Sequence, residues 1–299
     1  MKFAERVVRL QASTAELSRL EQENDPQALA SAFVELHAER EEKEIGVPRA
    51  SSLYDACMRK HVIGTLFHFY EKTFTSIRGN LLFGIGNAVH YWLQNNGAVF
   101  GDRRYGWWKC LACGSVRYFG GPPKKPCEQC KASVDATVYA EHALKITKPL
   151  TVTGHPDMFF KSEQDRLRVA ELKTMEGDAF DKLVAPLIGH VWQIQTYMWA
   201  CSIDKTLPVE IDKNVGYIFY VTKRGRKNEF PLKCFPVIWD GRLLHRIKDK
   251  LESYKLGLTK YPKNLPPPVS ECVDKGFTSY QAKNCIALQE CMTNYKGRK

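Results

Sequence analysis

Apolar residues recur along the chain at two different periods, which predict both helices and strands. Helical spacing predicts one helix over about 7–20 and a second over about 27–44, separated by the break at 24–26. It predicts further helices near Ser51 and over 80–95, 190–201 and about 241–256. Runs of β-branched and aromatic residues predict strands over 138–146, 150–160, 166–175 and 215–223. This order of elements predicts an α/β core.

Changes in composition divide the chain into four parts. Residues 1–50 form a predicted helical region, and residues 51–259 hold the predicted α/β core. Residues 107–131 interrupt the core with Gly, Pro, Cys and Lys but little periodicity, so we interpret them as an inserted module. Residues 260–299 begin with the proline-rich connector 261–268 and end in a cysteine-bearing tail.

The charge balance favours a polyanionic partner. The chain has 44 Lys and Arg against 33 Asp and Glu, a formal net charge of +11, and neutralising phosphates with such cations releases counterions. No apolar run is long enough to predict a membrane span. The N-terminus carries charges every few residues, unlike a signal peptide. We therefore expect a cytoplasmic protein that contacts no membrane.

Two carboxylates and a lysine form the candidate catalytic set. Asp157 ends a Gly-His-Pro-Asp turn, and Glu171 and Lys173 lie two apart on the next predicted strand, so they project from one face. Carboxylates held close together repel each other unless a cation lies between them. Mg²⁺ prefers such oxygen ligands and can activate a water for attack on a phosphate. A solvated strand edge is the alternative, because Glu-x-Lys is a short motif.

These residues resemble the signature of PD-(D/E)XK nucleases, and in particular RecB-like exonucleases. Asp157 followed by Glu171-Leu172-Lys173 is similar to the core motif of that superfamily. Gly86-Asn-Ala-Val-His90 resembles the Gly-x-x-x-His helix of RecB-like members, and Glu141 resembles an acidic residue of their first core strand. Downstream, the segment with Gln193 and Tyr197 resembles their Gln-x-x-x-Tyr motif. On a helix, His190, Gln193 and Tyr197 lie at i, i+3 and i+7, so their side chains share one face.

The resemblance implies a restriction-endonuclease-like fold, in which helices flank a mixed central sheet. It implies that one or two Mg²⁺ or Mn²⁺ ions are held by His90, Asp157, Glu171 and the carbonyl of Leu172. Lys173, Gln193 and Tyr197 would complete the catalytic set, with Glu141 and His190 as accessory residues. DNA phosphodiesters would be hydrolysed without a covalent intermediate.

The insertion carries a predicted zinc site. Its two Cys-x-x-Cys pairs are separated by 13 residues, so four thiolates can surround one Zn²⁺: Cys110, Cys113, Cys127 and Cys130. The intervening segment has too few apolar residues for a core of its own, so metal binding would supply its folding energy. Redox-active dithiols are the alternative. Basic and aromatic residues of this ribbon, including Trp107, Trp108, Arg117 and Tyr118, could contact DNA.

A second cysteine set resembles that of iron–sulfur RecB-like proteins, which include the AddB subunit and CRISPR-associated nucleases. Cys57-Met-Arg59 is similar to the Cys-x-Arg/Lys that precedes their core, and Cys285 and Cys291 have their final spacing. Cys272 departs from the family's Cys-x₂-Cys pattern. The resemblance implies a [4Fe–4S] cluster on Cys57, Cys272, Cys285 and Cys291, with a second zinc site or unligated thiols as alternatives. Cys201 and Cys234, in apolar stretches, are interpreted as buried structural thiols.

The expected function is a DNA exonuclease acting on single strands or ends in recombination, replication or repair. The chain contains no Gly-Lys-Ser/Thr ending of a P-loop, so it has no helicase signature of its own. A separate helicase or recombination protein would be its partner. Stand-alone members of the resembled family include viral and CRISPR-associated nucleases; a viral protein would act in the host cytoplasm. An endonuclease on the same core and a non-catalytic zinc-ribbon binding module are the alternatives.

Overall fold

The structure, a computed structural model, describes residues 40–74, 77–96, 100–146, 152–223, 231–275 and 277–294. The chain forms two compact units. The smaller comprises residues 1–43 and 70–85, and the larger comprises residues 44–69 and 86–299. The first predicted helix and most of the second lie outside the described residues.

Strand β1 (Arg40–Glu44) pairs with strand β2 (Tyr70–Phe74) in a two-stranded sheet. The prediction of a helix that continues to Glu44 is therefore wrong at its C-terminal end. The run Arg-Glu-Glu-Lys-Glu has good helix formers, but backbone pairing with β2 outweighs that weak local preference.

Within the described residues, the larger unit contains a seven-stranded mixed sheet. Its order is β11–β10–β9–β8–β3–β4, and β5 also pairs with β3. β9 and β10 are parallel, whereas the other pairs are antiparallel. The strands are β3 (Arg104–Cys110), β4 (Val116–Phe119), β5 (Thr137–Ala140), β8 (Met158–Lys161), β9 (Leu167–Met175), β10 (Val215–Thr222) and β11 (Leu232–Ile238). β6 (Leu144–Ile146) and β7 (Val152–Gly154) form a separate antiparallel pair.

Eight α-helices are assigned in the described residues. They are α1 (Met58–Leu66), α2 (Ile77–Asn95), α3 (Gly177–Asp181), α4 (Ile188–Ile203), α5 (Gly241–Thr259), α6 (Ser270–Asp274), α7 (Tyr280–Lys283) and α8 (Leu288–Thr293). Asp240 caps α5 by accepting hydrogen bonds from the backbone N–H groups of Arg242 and Leu243. None of the described helices combines the length and apolar character that a bilayer-spanning segment needs.

The two faces of the central sheet are covered by different helices. On one face, Leu167 and Val169 of β9 pack in a core cluster with Ile194 of α4 and Ile247 of α5. On the other face, Ala170 and Leu172 pack in a second cluster with Leu93 of α2. The first part of β9 is therefore packed on both faces, although Arg168 and Glu171 interrupt its apolar residues. The buried Glu171 within this strand requires an explanation other than packing.

The observed architecture confirms the predicted α/β class, with helices on both sides of a mixed sheet. The predicted strands at 166–175 and 215–223 are β9 and β10, and the predicted helix at 190–201 lies within α4. The other two predicted strands are each divided: 138–146 into β5 and β6, and 150–160 into β7 and β8. Because the predicted strand 150–160 is divided into β7 and β8, Asp157 lies in the loop directly before β8.

Candidate active site and cysteine clusters

The β8–β9 pair brings Asp157, Glu171 and Lys173 together. Met158 pairs with Ala170 across these antiparallel strands, so Asp157 lies beside Glu171. Asp157 Oδ2 accepts a 2.6 Å hydrogen bond from the backbone N–H of Leu172. This bond fixes the Asp157 side chain against the strand that carries the other two residues.

The carboxylate of Glu171 is the most enclosed charged group of this set, with a relative exposure of 3% for the residue. Its Oε1 atom accepts hydrogen bonds from Lys173 Nζ at 2.7 Å and from Gln193 Nε2 at 2.6 Å. Its Oε2 atom is buried and has no hydrogen-bond partner among the described residues. Such an unsatisfied carboxylate oxygen is costly in a protein interior, and it is available to a ligand.

Three carboxyl groups influence one another here. Burial raises the pKa of Glu171 to about 8, and the nearby carboxylates of Asp157 and Glu141 raise it too, while Lys173 lowers it. Burial also raises the pKa of Glu141, against a hydrogen bond from Gln94 that lowers it. The site thus brings carboxyl groups together where water is excluded, so Glu171 retains its proton near pH 7 and a bound cation would favour its charged form.

Helix α2 adds two side chains to the acidic cluster. His90 Nδ1 lies 3.5 Å from Asp157 Oδ1. Four residues later, Gln94 Nε2 donates to Glu141 Oε1 and to the backbone carbonyl of Asp157, both at 2.9 Å. Sequence analysis did not predict Gln94, although its i+4 spacing from His90 puts it on the same helix face. Gln94 holds Glu141 and the Asp157 loop together.

His190, Gln193 and Tyr197, which were predicted to share one face of α4, have two different environments. Gln193 reaches Glu171, and it also donates to the hydroxyl of Tyr197 at 3.2 Å. His190 instead has its Nδ1 atom 2.8 Å from the hydroxyl of Tyr220. Burial, with a smaller effect of Lys173, lowers the pKa of His190 to about 4, so this imidazole is neutral near pH 7. Gln193 and Tyr197 thus belong to the acidic cluster, and His190 lies beside it.

The donor set suits a hard divalent cation. Asp157 and Glu171 supply carboxylate oxygens, one of which has no partner among the described residues, and Glu141 and His90 lie on the same side. Oxygen-rich sites with few nitrogen ligands are typical of Mg²⁺ and Mn²⁺. The residue types therefore suit a hard divalent cation, whereas among the described residues only the ribbon cysteines bring three or more ligand atoms within 4.8 Å of one another.

The four ribbon cysteines form a compact site. Their sulfur atoms all lie within 4.8 Å of one another, with Cys110 and Cys130 at 3.6 Å and Cys113 and Cys127 at 3.8 Å. Each Cys-x-x-Cys pair folds in the same way: the N–H of Gly114 donates to the carbonyl of Cys110, and that of Lys131 to the carbonyl of Cys127. Gly114 and Lys131 both have positive φ. Four thiols in this arrangement fit a single tetrahedral zinc or iron ion.

The second cysteine set is gathered from both ends of the larger unit, and all four of its residues are half-buried. Burial raises the pKa of Cys272, Cys285 and Cys291, and the charge of Cys57 adds to this in all three cases. The four thiols are thus close enough to interact. Among the described residues, only the ribbon cysteines form a ligand group within 4.8 Å. The second set therefore does not form a ligand group as compact as that of the ribbon.

Arg59 ties this second set to the core. Its Nε atom donates to Cys291 Sγ at 3.0 Å, and its Nη2 atom donates to the Cys291 carbonyl at 2.9 Å. Its Nη1 atom donates to the carbonyl of Pro266 at 3.0 Å. The Arg59 residue is only 3% exposed, so α1 and the tail are joined by charge-assisted hydrogen bonds away from water.

Two interpretations of individual side chains are wrong. Cys234 is exposed, whereas Cys201 is buried as expected. In β11, Cys234 alternates with Phe235 and Val237, which face the core. The ribbon tryptophans are not open stacking surfaces: Trp108 is buried, and Trp107 stacks on His142 at a centroid distance of 4.1 Å.

Comparison with known proteins finds only distant structural similarity. No protein-family model matches the sequence, and neither does any curated protein. The alkaline exonuclease LHK-Exo from Laribacter hongkongensis is 14% identical, with a TM-score of 0.43 over 72% of this chain and 89% of that chain. The protein SSO0001 is 15% identical, with a TM-score of 0.34 over 75% of this chain and 81% of that chain.

Proposed function

We propose that the chain is a nuclease that uses Mg²⁺ or Mn²⁺ to hydrolyse DNA phosphodiesters, acting as an exonuclease on single strands or ends. One observation carries the proposal. The buried carboxylate of Glu171 lies beside Asp157 and contacts both Lys173 and Gln193. Burying neighbouring carboxylates costs free energy, which favours a catalytic rather than a stabilising role for them.

Each residue of the site has a separate proposed role. Asp157, Glu171, His90 and the Leu172 carbonyl would hold the cation, which supplies positive charge to the phosphate and lowers the pKa of water. The ammonium group of Lys173 would stabilise charge on the attacked phosphate and orient the water. Gln193 would fix the orientation of Glu171, and the Tyr197 hydroxyl would in turn support Gln193. Glu141 and His190 act as accessory groups.

The remaining features support a protein that acts on nucleic acid. The net charge of +11 favours association with a phosphate backbone. The ribbon thiols would hold one zinc ion, and the second cysteine set would hold a [4Fe–4S] cluster that joins the tail to the core. A separate helicase or recombination protein would open duplex DNA for the enzyme, in the cytoplasm.

Cleavage of end-labelled linear and circular DNA tests the proposal. An exonuclease degrades linear DNA and leaves circular DNA intact, whereas an endonuclease cuts both. A protein that only binds DNA would bind the substrate and cut neither form. Glu171→Gln should reduce the metal-dependent rate by a factor of about 10² or more. Glu163→Gln is the matched control, because Glu163 is an exposed carboxylate in the β8–β9 turn. Normal metal-dependent cleavage by Glu171→Gln would contradict the assignment.

A further inference from the structure

His142 has no role in the proposed catalytic site, although it is the next residue after Glu141. It lies in the short link between β5 and β6. Its Nε2 atom is 2.9 Å from Asp204 Oδ2, and its ring stacks on Trp107 with a centroid distance of 4.1 Å and an interplanar angle of 12°. The side chains of His142 and Asp204 are each only 12% exposed. An imidazole that is engaged at its face and at its edge has few alternative orientations.

Asp204 is itself held in place. It is the residue directly after α4, the helix that carries Gln193 and Tyr197. Its Oδ1 atom accepts hydrogen bonds from the backbone N–H of Thr206 at 2.8 Å and from the Thr206 hydroxyl at 2.7 Å. Burial acts to raise the pKa of Asp204, but hydrogen bonds from Thr206 and His142 lower it below the ordinary value. The carboxylate is therefore charged near pH 7 and can only accept, so the Nε2–H of His142 donates to it.

Trp107 brings the ribbon strand to the same imidazole. On β3 it pairs with Ala140, the residue before Glu141. Its ring also lies against that of Tyr118 on β4, with a centroid distance of 5.3 Å, so its orientation is fixed from the ribbon side. The link is therefore held on both sides of Glu141: Ala140 is held by backbone pairing with β3, and His142 is held by its side chain.

The Glu141 side chain contacts a different helix from that of His142. Its Oε1 atom accepts a hydrogen bond from Gln94 of α2 at 2.9 Å, and Gln94 also donates to the carbonyl of Asp157. This bond fixes the end of the Glu141 side chain, whereas the place of its Cα atom depends on the link that carries it. Small displacements of a residue at a metal site are enough to change affinity and rate.

We infer that His142 is a positioning residue: held between Trp107 and Asp204, it fixes the backbone that carries Glu141 at the acidic cluster. The imidazole would act through Glu141 and not on the phosphate. It would also join the ribbon strand, through Trp107, to the end of α4, through Asp204. The consequence for catalysis rests on the proposed nuclease function, whereas the positioning of the link does not.

Calorimetric titration of the full chain with Mn²⁺ tests this inference in a double-mutant cycle. His142→Phe keeps a flat ring against Trp107 and removes the donor to Asp204, so it should weaken Mn²⁺ binding by about threefold or more. His142→Gln supplies an amide N–H for Asp204 and should recover part of this loss. In a Glu141→Gln background, His142→Phe should have no further effect, because two residues that act through one another are not additive. An equal loss in both backgrounds would overturn the inference, as would unchanged Mn²⁺ affinity in His142→Phe.

Asp204→Ala and Asp212→Ala form a matched pair that separates positioning from stability. Each carboxylate accepts a hydrogen bond from the backbone N–H two residues later. Each also has one further partner, His142 for Asp204 and Arg168 for Asp212. Both substitutions should lower the melting temperature, but only Asp204→Ala should also weaken Mn²⁺ binding by about threefold or more. An equal effect of the two variants on Mn²⁺ binding would show that the pair of His142 and Asp204 only supports the fold.

Hydrogen exchange separates the failure of this inference from the failure of the proposed function. Peptides that cover residues 137–146 should exchange about threefold or more faster in His142→Phe than in the wild type, whether or not the chain cuts DNA. If this exchange is faster but the wild-type chain cuts no DNA, the nuclease proposal fails and the positioning of Glu141 stands. Unchanged exchange in these peptides would overturn the inference even if the chain is an active nuclease.

Discussion

Gln193 Nε2 lies 2.6 Å from Glu171 Oε1 and 3.2 Å from the Tyr197 hydroxyl. One buried amide thus joins the most enclosed carboxylate of the site to the end of the Gln-x-x-x-Tyr motif. Gln193 Nε2 donates to both Glu171 and the Tyr197 hydroxyl, and its bond to Glu171 holds that carboxylate in one orientation. The amide would act on catalysis through Glu171 rather than through the substrate.

Replacing Gln193 should therefore affect turnover more than binding. We expect Gln193→Met to lower kcat by about tenfold or more, with little change in KM, because preorganisation of a catalytic group is lost. Gln195→Met is the matched control: Gln195 is equally buried two residues later, but it donates to the backbone carbonyl of Ile238. It should lower stability without this kcat effect. A normal kcat in Gln193→Met would show that the amide only supports the fold.

Tyr197 offers a test that separates packing from positioning. The residue is 4% exposed, and its ring packs tightly against Gly154. Tyr197→Ala should lower the free energy of unfolding by about 3–5 kcal/mol, as for other buried aromatic residues. Tyr197→Phe keeps the packing and removes the hydroxyl, so we expect a slower turnover at nearly unchanged melting temperature. A silent Tyr197→Phe would identify a purely structural aromatic residue.

The raised pKa of Glu171 predicts how pH acts on stability when no divalent cation is added. The pKa is about 8 in the folded state and near 4.5 ordinarily. Between these values the folded state binds more protons than the unfolded state, so the free energy of unfolding falls as pH rises. Melting curves at about pH 5 and about pH 8 should show this decrease, and Glu171→Gln should reduce it.

The same titration should appear in cation binding. Mg²⁺ binds the charged carboxylate, so a proton must leave Glu171 first, and affinity should increase up to about pH 8. Calorimetric titration in two buffers of different ionisation enthalpy would measure the released proton. If Mg²⁺ affinity does not change with pH, Glu171 is not a ligand.

Local periodicity was sufficient to place some residues of the site and not others. Glu171 and Lys173 share a strand, where the alternation of side chains fixes their common face. Gln94 was not predicted because its partner, Glu141, is 47 residues away. Cys234 is exposed rather than buried as predicted, because an apolar stretch does not show which face of β11 is exposed. Backbone pairing with β2 likewise overrides the helical preference of the segment ending at Glu44.

The two cysteine sets should hold different metals. Protein purified without oxygen should be brown and contain about one zinc and four irons. Cys57→Ser should remove the iron, whereas Cys110→Ser should remove the zinc and unfold only the ribbon. Cys234→Ser is the control, since Cys234 is exposed and belongs to neither set. Colourless anaerobic protein with zinc in both sites would rule out the cluster and leave the nuclease proposal intact.

Arg59 should hold the tail on the core, with or without a cluster. Hydrogen bonds from its Nε, Nη1 and Nη2 atoms connect α1 to Pro266 and Cys291, more than 200 residues away. Arg59→Ala leaves the Pro266 and Cys291 acceptors without this donor and should lower the free energy of unfolding by about 2–4 kcal/mol. Arg59→Lys should recover only part of this loss, because an ammonium group cannot reproduce the planar fork of three donors. Melting curves and limited proteolysis of residues 260–294 would measure the effect.

Lys275→Ala, which removes an exposed ion pair with Glu271 in the same tail, is the control and should change the free energy of unfolding by less than about 1 kcal/mol. If Arg59→Ala behaves like Lys275→Ala, Arg59 does not fasten the tail.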